Sequence, residues 1–250
     1  MVGEALWPQE YYHALEHYYW EPQKLNRHAN AKRGKNEVEE VLHGLHKSET
    51  ALNHILNVFF IIAPHPLVTR FFRRFLSGWP EERVENHSRI DMGFCQPDFL
   101  FEGQASRIAI EMKIDEKTSL EQVVKYALLL RFHQGEGDKP KLPFLLYLCR
   151  DCKKVWRNGL TFSTFHDALS NFKYTGTIQR YATKSGLTQE EVVSLARELP
   201  VAHLTYAEFS NFLHGEIEGL HSCEGAMTLR NLVNGLISEL ATRGLVAQDQ

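Results

Sequence analysis

The sequence predicts an α/β fold, a mixed central sheet flanked by helices, with an additional helical C-terminal region. Three observations carry that expectation. Residues 94–101 and 107–114 are β-rich runs separated by the loop residues Gly103-Gln104-Ala105-Ser106. Thr118-Ser119-Leu120-Glu121 has the Thr-x-x-Glu spacing of a capping box and starts a helix at about Ser119. Beyond Val155 the chain reads mostly helical, with further boxes at Thr188/Glu191 and Thr205/Glu208 and a helix over 226–243.

The N-terminal twenty residues are rich in Trp, Tyr and His. Trp7, Tyr11, Leu15 and Tyr18 recur at helical spacing, as a packing face or as a stripe that stacks on bases. Residues 21–36 are polar and basic, with Lys24, Arg27, Lys32, Arg33 and Lys35, which suits a solvated arm or a contact to phosphates. Residues 37–60 read as one or two helices, kinked near Gly44, with Leu52, Ile55, Leu56 and Phe59 on an apolar face. Pro64 and Pro66 are expected to end that helix. Residues 67–76 form a short helix whose Arg70, Arg73 and Arg74 are either a charged rim or a grip on the phosphate backbone. A first strand over 81–90 would turn Arg83 or Arg89 to a substrate groove. Residues 134–141 are a loop, and 143–149 (PFLLYLC) a buried strand that completes the core. Three segments are therefore expected: 1–36, an aromatic helix and basic arm; 37–154, the core; and 155–250, the helical C-terminal region.

Chemistry concentrates on the two central strands. Side chains alternate along a strand, so Glu111 and Lys113 share one face while Ile110 and Met112 take the other. A hairpin brings Asp98 alongside them. On the helix that follows, Gln122 and Tyr126 are four residues apart and share a face. Pro97-Asp98 followed by Glu111-x-Lys113 resembles the PD-(D/E)XK nuclease superfamily, the restriction-endonuclease-like fold. Gln122-Val123-Val124-Lys125-Tyr126 is similar to the QxxxY helix of its recombination-nuclease and CRISPR-adaptation exonuclease branch.

The resemblance covers roughly residues 45–150 and implies an αβββαβ core and a Mg²⁺-dependent nuclease that acts on DNA in repair, restriction or phage defence. Mn²⁺ would be able to replace Mg²⁺. Asp98 and Glu111 would be metal ligands and Lys113 the catalytic lysine, with Gln122 bracing the lysine and Tyr126 lining the same face. Those residue types suit the reaction. Hard oxygen ligands match Mg²⁺, and phosphodiester hydrolysis needs local positive charge and an activated water. A glutamate on the first core helix would complete the metal site; Glu49 is the choice, with Glu39, Glu40 and His54 competing for the position. The bland alternative is a Glu–Lys pair on a solvated edge strand, which contributes little.

Other motifs are weaker. His13-Ala14-Leu15-Glu16-His17 resembles the inverted zinc-metalloprotease signature, but no third ligand is evident. His43 and His46 form an E-x-x-H cluster with Glu40, without the second copy that a di-metal bundle needs. Cys149 and Cys152 are a lone C-x-x-C, which argues against zinc, and Cys95 with Cys223 does not complete the spacing of an iron–sulfur cluster.

The 250 residues suffice for a full α/β core and an appendage, and 43% hydrophobic with 24% charged residues are ordinary for a globular protein. A net charge of −3 provides no global attraction to nucleic acid, so any grip on DNA must be local. The N-terminus lacks a secretory pattern, the longest apolar run, 58–63, is too short to span a bilayer, and four cysteines do not suggest a disulfide scaffold. A cytoplasmic protein with no membrane partner is expected. The C-terminal helices could recognise DNA, form a homodimer or dock a protein partner, and sequence leaves these three open. A catalytically inactive nuclease fold that binds nucleic acid or protein is the runner-up.

Overall fold

A computed structural model describes residues 7–8, 49–87, 97–132, 141–174, 176–221 and 224–247. In chain order the elements are α1 (Glu49–Ile62), α2 (His65–Phe75), β1 (Glu85–Asn86), β2 (Phe99–Glu102), β3 (Ser106–Lys113), α3 (Leu120–Phe132) and β4 (Leu142–Cys149). There follow α4 (Phe165–Leu169), α5 (Gly176–Lys184), α6 (Gln189–Glu198), β5 (Val201–Thr205), α7 (Tyr206–Glu218) and α8 (Glu224–Thr242). The chain divides into two units, Pro64–Phe209 and a second made of Met1–Ala63 with Ser210–Gln250. The segments read from the sequence have their boundaries after residues 36 and 154.

In the first unit the strands form one five-stranded mixed sheet in the order β1-β2-β3-β4-β5. The first three run antiparallel, and β4 and β5 run parallel to β3. A parallel step needs a crossover. Helix α3 supplies it between β3 and β4, and α4, α5 and α6 supply it between β4 and β5. All eight residues of β3 are buried, because strands cover both its edges and helices both its faces. On one face, Phe72 of α2 meets Phe101 with ring centroids 5.0 Å apart, and the Trp79 indole donates to Ser106 Oγ at 2.9 Å. On the other, Val123, Val124 and Ala127 of α3 share a cluster with Leu100, Ala109 and Leu145.

Local chemistry explains where the elements depart from expectation. Pro66 does not end a helix: α1 stops at Ile62, and Pro66 lies in the first turn of α2, where a missing N–H costs nothing. The first strand is two residues, not ten. Glu82, just before it, is diverted into a clamp on the β2–β3 turn, accepting from Ala105 N at 2.9 Å and Ser106 Oγ at 2.6 Å. Strand β5 was not expected at all. Only Leu204 of its five residues is buried, so VAHLT lacks an apolar signature, and pairing with β4 creates it. The capping boxes at Thr188/Glu191 and Thr205/Glu208 form as expected.

In the second unit Leu52, Ile55, Leu56 and Phe59 of α1 are buried as one face, and α8 contributes Val233, Leu236 and Leu240. The Trp7 indole donates to Leu232 O at 2.9 Å, and its ring lies where a side chain at Gly235 would sit. Among the described residues no single helix is long and apolar enough to cross a membrane.

Candidate active site on the central strand

Strand β3 ends in Glu111-Met112-Lys113, and alternation turns the acid and the lysine to the α3 face. One step beyond the Phe99–Ile110 pair, antiparallel register sets Asp98 across from Glu111 and on that same face. Asp98 Oδ2 accepts from the Met112 backbone N–H at 2.7 Å. Glu111 and Lys113 are 5% and 6% exposed, and Lys113 Nζ stands 2.7 Å from Glu111 Oε1. The edge-strand alternative is thereby corrected. This is a buried ion pair on the middle strand of the sheet, where an unpaired charge would be costly.

Helix α3 supplies the other donors. Gln122 Nε2 donates to Glu111 Oε1 at 2.5 Å, and the Tyr126 hydroxyl donates to Glu111 Oε2. Gln122 therefore braces the acid rather than the lysine. Tyr126, 1% exposed with its hydroxyl committed to Glu111, supports the carboxylate and presents no surface to a substrate. A second tier orients Gln122. Thr118 Oγ1 donates to Gln122 Oε1 at 3.0 Å and lies 2.9 Å from the Tyr147 hydroxyl. A threonine hydroxyl has one proton, so Tyr147 is the donor to Thr118, and a directed chain runs Tyr147 to Thr118 to Gln122 to Glu111.

Sequence reasoning missed Thr118 and Tyr147. Thr118 has the spacing of a helix cap, but its side chain turns inward. Ser119 Oγ accepts instead from Gln122 N at 3.4 Å, and Glu121 pairs with Lys125 at 2.7 Å. Tyr147 becomes legible only through the β3–β4 register, which places it beside Glu111.

The remaining candidates belong to other elements. Arg70, Arg73 and Arg74 are on α2, across the sheet from Glu111; Arg73 stands 3.6 Å from Glu81, and Arg74 is exposed. They are not gathered at the site. Glu49 opens α1 in the second unit, and His54 of the same helix is exposed. Glu39, Glu40, His43, His46, Arg89, Cys95, Cys223 and the His13/Glu16/His17 motif lie outside the described residues.

Among the described residues, no group of three or more His, Cys, Asp or Glu is arranged to hold a metal. Asp98 and Glu111 remain as a pair of hard oxygen donors. A carboxylate offers about four lone-pair directions, and Glu111 fills three with Lys113, Gln122 and Tyr126. That suits a cation bound through one or two carboxylates that keeps most of its waters, as Mg²⁺ does.

A pocket of about 520 Å³ opens at the carboxyl ends of the parallel strands; Lys113 lines it, with Asp115, Glu116, Lys117, Cys149 and Arg150 among others, and Asp98 and Glu111 do not. In open α/β sheets this end is where ligands bind. Comparison of the chain with protein-family models, curated proteins and solved structures finds no significant match.

Proposed function

We propose that the Pro64–Phe209 unit is a divalent-cation-dependent phosphodiesterase that hydrolyses DNA. The observation that carries this reading is the buried Glu111–Lys113 pair on the central strand with Asp98 across from it on one face. The element order α2-β1-β2-β3-α3-β4 follows the αβββαβ arrangement that the PD-(D/E)XK resemblance implies, and so supports a restriction-endonuclease-like core.

Asp98 and Glu111 would hold Mg²⁺ or Mn²⁺, which supplies positive charge to the phosphate oxygens when bound. Lys113 is the cation of the pair: its ammonium is directed at Glu111 from 2.7 Å and is held at the carboxyl end of β3. Its positive charge suits the attacking water or the phosphate, because a preorganised cation is most effective in a water-poor site. Gln122 and Tyr126 keep the carboxylate in place. A cytoplasmic setting in repair, restriction or phage defence belongs to the same proposal.

The test incubates the protein with linear and circular DNA in Mg²⁺, Mn²⁺ or EDTA. Cation-dependent cleavage that is lost in Lys113→Ala and Asp98→Ala supports the reading. Wild-type-like cleavage by both variants, or none by the wild type, overturns it. One observation favours a second reading, a non-cutting protein that binds nucleic acid or a protein partner: Glu111 is already satisfied by three of the chain's own donors. Tight DNA binding without cleavage would select it.

A further inference from the structure

Cys149 and Cys152 take no part in the proposed hydrolysis, yet Cys149 stands next to its lysine. Cys149 closes β4, in register with Lys113 on β3 and Thr205 on β5. It is fully buried, with its Sγ 3.5 Å from Leu204 O, and it lines the pocket of about 520 Å³ that Lys113 also lines. Cys152 follows in the adjoining turn and is only half-buried. Both are free thiols. Each thiol acts most strongly on the other: Cys149 holds the Cys152 thiol below its ordinary pKa, and Cys152, with burial, pushes Cys149 up. The turn is tied at both ends, by Arg150 N to Lys113 O at 3.1 Å and by Lys154 N to Asp151 O at 3.1 Å. A C-x-x-C beside a β-α-β unit is a context in which dithiol chemistry occurs.

We propose that Cys149 and Cys152 form a redox-active dithiol that a peroxide closes to an intramolecular disulfide, in the turn bonded to the Lys113 carbonyl. The more accessible Cys152, as thiolate, attacks the peroxide: an S–O bond forms, the O–O bond breaks, and the leaving hydroxide takes up the thiol proton as water. The Cys149 sulfur then attacks the sulfenic sulfur: the S–S bond forms, the S–O bond breaks, and the departing hydroxide leaves with the Cys149 proton as a second water. Two thiols are oxidised, and one peroxide is reduced to two waters. This does not depend on the hydrolase reading, since its readout is covalent.

The full chain is treated with hydrogen peroxide, alkylated, digested and weighed by mass spectrometry, with and without prior dithiothreitol. The expected result is a peptide spanning 149–152 that has lost two hydrogen atoms, carries no alkyl group, and regains both alkylation sites on reduction. In Cys149→Ser, Cys152 should accumulate as a sulfenic acid trapped by dimedone. Full alkylation of both cysteines after peroxide, or pairing of Cys152 with Cys95 or Cys223 in the wild type, overturns the proposal whether or not the variant folds.

Discussion

Glu111 is the residue on which the candidate site turns. Its carboxylate is withdrawn from water and offset by one ammonium, one amide and one phenol, each from a different position on β3 or α3. Tyr126→Phe removes one of those donors without changing shape. It should cost about 1.5–3 kcal/mol, the usual range for a hydrogen bond to a charged group. In urea denaturation that appears as a lower midpoint with an unchanged slope; an unchanged midpoint would mean that the phenol is not holding the carboxylate. Lys113→Ala should abolish cleavage and, by leaving the buried Glu111 charge without its counter-charge, lower stability by about 3–5 kcal/mol; cleavage is therefore assayed where circular dichroism shows the variant still folded. Strand alternation alone made the Glu111–Lys113 juxtaposition legible. The support from Thr118 and Tyr147 was not, since it requires knowing which residue of β4 lies beside which residue of β3.

At the scale of elements, the β2–β3 turn shows how a loop outside the site holds the strand that carries it. Gly103 lies against the Glu82 carboxylate, so closely that a β-carbon there would overlap it. Gly103→Ala should displace Glu82 from Ala105 and Ser106 and lower stability by about 1.5–3 kcal/mol, the range for losing hydrogen bonds to a charged group. Combining it with Glu82→Ala should cost less than the sum of the two, because both remove the same clamp. Thermal melts of the three variants check this, and strict additivity would reject the clamp. Capping boxes were readable because they are local, as at Thr188 and Thr205. Thr118 misled for the same reason: it has the spacing of a cap, but tertiary contacts claim its hydroxyl.

For the whole molecule, charge is the governing quantity. Glu102 sits among cations on the sheet. Burial would raise its pKa, but the Arg107 hydrogen bond and the charges of Arg107, Lys141 and His87 outweigh this and hold it below the ordinary carboxylate value. A depressed carboxyl contributes stability above its unfolded pKa, near 4.3 for glutamate, and loses it as pH falls through the folded value. Acid denaturation of the wild type should therefore steepen below about pH 4.3, and Glu102→Gln should flatten that limb. Equal slopes would show that the pair does not contribute. With a net charge of −3, the DNA affinity that the proposed function calls for would have to come from local cations such as Lys24, Arg27, Lys32, Arg33 and Lys35. Replacing all five by glutamine should reduce the salt dependence of binding to duplex DNA by up to about 0.9 in log–log slope per lost phosphate contact. An unchanged slope would leave the arm as a solvated linker.

The sequence by itself determined the strand–turn–strand–helix run, the face shared by Glu111 and Lys113, and the helical faces of α1 and α3. Each of these is set by the period of the backbone and by residues close along the chain. Only the tertiary structure decided that β3 is central rather than an edge, that β5 exists, and that Tyr126 and Tyr147 serve Glu111 directly and through Thr118 and Gln122. These depend on pairings between distant segments, and burial there converts an ordinary Glu–Lys pair into a desolvated charge cluster.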